Sequence, residues 1–135
     1  VNEAKFATAY LKRWKAANPG SVWHRIPDGI QGYVPDGSPV SSPNPFDHFG
    51  IIAPSGQAIA WEFKFMKGGV TFVVNTQFKR REHQIYRLRD WAAAGGIAMV
   101  VLGWIPHKAR RTITFEYPIS RIKQGGRIPL TRPAK

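Results

Sequence analysis

A chain of 135 residues with 43% apolar content is long enough for one hydrophobic core and too short for two, so a single domain over residues 1–135 is expected. The absence of cysteine excludes disulfides, thiolate zinc sites and thiol nucleophiles, and no apolar run approaches the roughly 20 residues of a membrane span. With 20 Lys and Arg against 8 Asp and Glu, the formal charge is +12, which points to a polyanionic partner, the bland alternative being a solubilising or membrane-attracted surface.

The N-terminal stretch VNEAKFATAYLKRW lacks the apolar segment and cleavage site of a secretory signal, so it reads as folded structure of an intracellular protein. From residue 3 to about 18, Ala7, Tyr10, Leu11, Trp14 and Ala17 recur at helical spacing, and Asn18-Pro19-Gly20 supplies the stop. A short strand at 22–26 leads into residues 27–45, whose prolines, glycines and serines suit a loop or protruding arm. The runs 46–53 and 57–66 flank Pro54-Ser55-Gly56 and predict an antiparallel hairpin; a third strand at 70–74 after Gly68-Gly69 would complete a β-meander. Residues 78–94 carry Ile85, Leu88, Trp91 and Ala92 on one helical stripe and end at Gly95-Gly96. The near-continuous apolar run 97–104 that follows implies a crossover onto a parallel neighbour. A last strand at 111–117 precedes a basic tail, 121–135, which reads as ordering only on a partner. The order α-β-β-β-α-β-β predicts an α/β domain with a mixed sheet flanked by helices.

The few acids can be taken in turn. Asp28 and Asp36 sit in Pro-Asp-Gly turn triplets, Glu82 and Asp90 share a helix with arginines, and Glu116 ends a late strand. Glu3, Asp47 and Glu62 remain. Period two along 57–66 sets Ile59, Trp61, Phe63 and Phe65 on one face and Ala58, Ala60, Glu62 and Lys64 on the other. A Glu-x-Lys pair is by itself more often a solvated edge pair. Here the hairpin brings Asp47 within cross-strand reach of Glu62, Glu3 lies on the apolar stripe of the first helix, and Gln84 beside Ile85 can look toward the sheet. Hard divalent cations take oxygen ligands, and Mg²⁺ is typically held by one or two carboxylates with water and substrate phosphate. Asp47 and Glu62 meet that need, Glu3 can hold the metal through water, and Lys64 can orient the attacking water and neutralise charge developing on a phosphate. The four histidines have no zinc-motif spacing. Candidate phosphate contacts are Arg25, Lys79, Arg80, Arg81, His83, Arg87, Lys108, Arg110 and Arg111.

Around these residues the sequence resembles the PD-(D/E)XK nuclease superfamily, and within it Holliday junction resolvases of the RecU and, more distantly, the Hjc type. The resemblance rests on HRIPDGIQ from His24, on Phe46-Asp47-His48-Phe49-Gly50, on Trp61-Glu62-Phe63-Lys64, and most of all on EHQIYRLRDWAAAGGIAMVVLGW from Glu82. It implies a restriction-endonuclease-like core and Mg²⁺, with Mn²⁺ as a substitute, bound by Asp47, Glu62 and the Phe63 carbonyl. Lys64 would serve the water, Glu3 would be the N-terminal helix acid and Gln84 would support the site. The implied activity is paired nicking of four-way DNA junctions in a bacterial cytoplasm, with no membrane and no small-molecule cofactor involved; the short chain would suit a phage-encoded version. The arm at 29–45 does not align with the family.

Paired nicking calls for a two-fold symmetric homodimer, for which Tyr33, Val34, Val40, Phe72 and Val73 are interface candidates. Two rival readings stand beside the resolvase. One is another nuclease with the same core, acting on flaps, single strands or duplex sites. The other is a non-catalytic nucleic-acid-binding protein that stacks bases on Trp23, Tyr33 and Trp104.

Overall fold

The computed structural model describes residues 2–26 and 46–132, together with the backbone of 30–33 and 39–41. Helix α1, Glu3–Ala17, starts where the Asn2 side chain accepts a hydrogen bond of 2.9 Å from the Lys5 amide, with Glu3 favourably placed in the first turn. It stops where the Asn18 side chain turns back to donate to the Trp14 carbonyl at 2.8 Å. Strands β1 (Val22–Arg25), β4 (His48–Ile52), β5 (Gln57–Lys67), β7 (Ile97–Ile105) and β8 (Ile113–Pro118) form a five-stranded sheet in the order β1-β4-β5-β7-β8. Neighbours are antiparallel except β5 and β7, which run parallel, so the sheet is mixed and the predicted crossover is found.

The period-two pattern of β5 sorts the core into two layers. On one face α1 lays Phe6, Ala7, Tyr10 and Leu11 over Ile59, Trp61 and Phe63. Aromatic edges meet faces there, with ring centroids 5.5 Å apart for Tyr10 and Phe63 and 4.8 Å for Trp14 and Trp61. Gly103 of β7 permits the close approach of α1, because a Cβ there would stand 2.8 Å from the Phe6 ring. On the other face, helix α3 (Glu82–Ala93) sets Ile85 and Leu88 against Ala60, Val100 and Leu102. Glu62 and Lys64 therefore lie inside the protein, between the sheet and α3, and not on a solvated edge.

Four expectations are corrected. The helix predicted from residue 78 starts only at Glu82: residues 78–81 form a bend in which Arg80 takes φ 62°, preceded by a single turn, α2 (Val74–Gln77), although Val74, Phe78, Ile85 and Leu88 all reach one core. The third strand of the meander, β6 (Thr71–Val73), leaves the main sheet after Gly68 and Gly69, both at φ 72°, and pairs instead with β9 (Arg127–Pro129). The basic tail is folded through residue 132: Ile122, Ile128 and Leu130 are buried, and the Leu130 amide donates to the Val70 carbonyl at 2.8 Å. Its charges mask apolar residues spaced to face the core. Phe72, offered for a dimer interface, is fully buried in that same core, and Val73 is half-buried. Within the predicted arm, β2 (Ile30–Tyr33) and β3 (Pro39–Ser41) form a separate antiparallel hairpin. The side chains of Tyr33, Val34 and Val40 lie outside the described residues. Among the described residues, no helix is long and apolar enough to cross a membrane.

Candidate active site

The site grows from the place where β4 meets β5. The last register pair is His48 with Trp61, so Asp47, one step before β4, stands opposite Glu62, and β5 runs on without β4 as a neighbour. The Asp47 carbonyl accepts from the Ile26 amide at 2.8 Å, which fixes the backbone of this corner against the end of β1. The N-terminus of α1, anchored by Phe6 and Ala7 on the opposite face, brings Glu3 around the sheet edge. One carboxylate oxygen from each of Glu3, Asp47 and Glu62 lies within 4.8 Å of the others. A cleft of about 330 Å³ is lined by Glu3 and Asp47, with Arg25 and Arg81 on its wall, while Glu62 lies buried beside it. His48 lies buried on the α1 face, edge-on to Phe63 at 5.1 Å.

Glu62 forms the floor of the cluster and is only 1% exposed. Its Oε2 is 3.3 Å from Lys64 Nζ, while its Oε1 is buried with no hydrogen-bond donor among the described residues. The Lys64 ammonium is held from two further sides: Gln84 Oε1, on the inward face of α3, accepts from it at 3.3 Å, and the Phe78 ring lies beneath it with its centroid 4.5 Å away. The sequence singled out Gln84 but took Phe78 only as a helix residue; no local signal tells a core aromatic from one that cradles a cation.

Burial raises the Glu62 carboxyl well above the usual carboxylate range; Lys64 opposes the rise and Asp47 adds to it. Glu3 is raised as well, first by burial, with Lys64 and Arg81 acting against Asp47. Burial lowers His48, partly offset by Asp47. A carboxylate buried beside two others, with one oxygen free of donors, is a costly arrangement that a hard cation would relieve. The oxygen-only donor set fits Mg²⁺ or Mn²⁺ better than a softer ion.

A pH effect follows for the metal-free protein. The folded state keeps protons on Glu62 and Glu3 that the unfolded chain has already released, so their contribution to stability falls as pH rises from the ordinary range near 4.5 through the raised values. His48 acts in the opposite sense below its usual range, but it is common to wild type and Glu62→Gln. Urea unfolding of both proteins in chelator should therefore show wild type losing stability relative to Glu62→Gln as pH rises from 5 to 8. A difference that does not change with pH would disprove the strained carboxylate.

The other proposed contacts scatter. Lys79 and Arg80 are exposed in the bend before α3, His83 is half-buried in the first turn of α3, and Arg87 is exposed there, 3.7 Å from Asp90. Lys108, Arg110 and Arg111 belong to the loop between β7 and β8. The Phe63 side chain packs toward α1, and its carbonyl belongs to the stretch of β5 that has lost β4 as a neighbour. Of the stacking candidates, Trp104 is buried, with its indole N–H donating to the Gly68 carbonyl at 2.9 Å, and Trp23 is half-buried.

No family model matches the sequence, and no curated protein matches it either. Among solved structures, the chain is similar to Hjc of Archaeoglobus fulgidus, a Holliday junction resolvase from an archaeal hyperthermophile. The TM-score is 0.54 at 16% identity, over 94% of this chain and 83% of that one. The mixed five-stranded sheet with its flanking helices thus has the restriction-endonuclease-like α/β fold of an archaeal Holliday junction resolvase.

Proposed function

We propose that this chain is a metal-dependent endonuclease that cuts branched DNA, four-way junctions first among them. The observation that carries the reading is the convergence of Glu3, Asp47 and Glu62 beside the buried Lys64 and Gln84 pair. Asp47 and Glu62, with Glu3 directly or through water and the Phe63 carbonyl as a further donor, would hold Mg²⁺ or Mn²⁺. Such an ion, when bound, polarises a phosphodiester and acidifies water. The chain's own residues do the rest. Lys64, fixed between Glu62 and Gln84, places a positive charge where the phosphate gains negative charge in the transition state. Arg25 and Arg81 on the cleft wall grip the backbone beside the scissile bond, and Lys79 and Arg80 in the bend with His83 and Arg87 on α3 extend the contact. The likeness to Hjc is the reason four-way junctions come first, and two matched cuts require a homodimer with two such clefts.

The test is a panel of labelled four-way junction, three-way, flap, duplex and single-stranded DNA, incubated with Mg²⁺ or with chelator. Metal-dependent product on the junction, and linear rather than relaxed circular product from a cruciform plasmid, is the expected result. Preference for flaps or duplex would leave a nuclease of another kind. No metal-dependent product on any substrate would refute the enzyme.

A further inference from the structure

A second feature lies away from the carboxylates. Residues 106–112 join β7 to β8 as a shaped turn: the Ala109 amide donates to the Pro106 carbonyl at 2.9 Å, and Lys108 takes φ 62°. The C-terminal segment, led back by the pairing of β9 with β6, crosses this turn, and the Arg132 guanidinium donates to the His107 carbonyl at 2.9 Å. Between them is a groove of about 540 Å³ with an apolar floor that includes Pro106, Ala109 and Ile113 and a rim of Arg110, Arg111 and Arg132. Among the described residues, no carboxylate lines it and none of these three arginines has a carboxylate partner. Guanidinium groups without a counter-charge over an apolar floor match the alternation of phosphate and deoxyribose along a nucleic-acid strand.

Its displacement from the cluster along the strands follows from register. Val100 of β7 is the partner of Glu62, and the groove begins six residues further along, at Pro106. At about 3.3 Å per residue the separation along the strand is about 20 Å. At 3.4 Å per step in duplex DNA this corresponds to roughly six nucleotides.

We propose that this groove is a second phosphate-binding site, which grips one strand of a DNA arm roughly six nucleotides from the bond placed over Glu62. The proposal rests on the nuclease reading for that distance, but the groove's affinity for DNA needs no cleavage. It assigns the folded tail a role in setting how long an arm must be for full affinity.

Phosphate-ethylation interference and a salt series test it, with wild type and the triple variant Arg110→Ala, Arg111→Ala, Arg132→Ala bound to a long-armed four-way junction in chelator. Circular dichroism melting would show that the triple variant is folded; if it is not, Arg110→Gln, Arg111→Gln serves in its place. Wild type should show two interference patches, one at the cleaved position and one roughly six nucleotides away, and the variant should lose only the distal one. The log-log salt slope should shrink by about 0.9 for each lost phosphate contact. With arms too short to reach the groove, the two proteins should bind alike. An unchanged distal patch, an unchanged salt slope, or a binding loss confined to anionic vesicles would overturn the proposal. Absence of metal-dependent cleavage, by contrast, would sink the enzyme reading and leave the groove's DNA contact to be judged on the variant's binding alone.

Discussion

Asp47→Asn should lower metal-dependent cleavage by a factor on the order of 10³ or more, and at the same time make the metal-free protein more stable by about 1 kcal/mol. The two effects have one cause. Asp47 is opposite Glu62 at the end of the β4–β5 ladder, and its carboxylate shares a space less than 4.8 Å across with those of Glu62 and Glu3. Like charges at that separation repel by a few kcal/mol at an effective dielectric near 20, and solvent at the half-buried Asp47 and exposed Glu3, with the nearby Lys64 and Arg81, reduces this to about 1. Asparagine preserves the shape and the backbone bond to Ile26 while removing the charge that would hold a divalent ion. Melting in chelator and cleavage in Mg²⁺ read the two sides separately. A variant less stable than wild type that still cuts at a comparable rate would remove Asp47 from the site.

Lys64→Met should be the most damaging single change to the fold, costing about 3 to 5 kcal/mol at neutral pH, and should abolish cleavage as well. The ammonium is the cation of a buried pair: it meets Glu62 at 3.3 Å and Gln84 at 3.3 Å, and Phe78 closes the space below. Without it, Glu62 stays inside the protein as a carboxylate with no counter-charge, or takes up a proton and forfeits its use as a ligand. For a chain of this length the loss corresponds to a fall in Tm of roughly 10 to 20 °C. Lowering the pH should shrink the deficit, because protonating Glu62 removes the unpaired charge. The double variant Lys64→Met, Glu62→Gln should recover most of the stability and none of the activity, since both ends of the pair are then neutral. If Lys64→Met alone melts with wild type, Glu62 is not balanced by Lys64 and the electrostatic account of the site fails.

Features set by near neighbours along the chain were legible from residue order. The spacing of Ala7, Tyr10 and Leu11 specified the covering helix, and the period of two specified which face of β5 would carry Glu62 and Lys64. The turn signal at Pro54-Ser55-Gly56 set the hairpin and brought Asp47 within cross-strand reach of Glu62, while the pairing of Ile52 with Gln57 across a four-residue turn fixes the register that puts the two opposite each other. The apolar run after Gly95-Gly96 announced a buried strand beside a parallel neighbour. The remaining features depend on contacts between residues far apart in sequence, which local spacing does not encode. The pairing of β6 with β9 joins segments that share no turn, so nothing near Thr71 foretells Ile128, and the charges between residues 121 and 132 hid the apolar residues that bring the tail back. The break at Arg80 exchanges helical hydrogen bonds for a path that delivers Phe78 beneath Lys64 and Arg81 to the cleft, a choice that packing makes and propensity does not. Composition announced the positive charge, but its division into a cleft wall and a distant groove follows from where the folded chain carries each arginine.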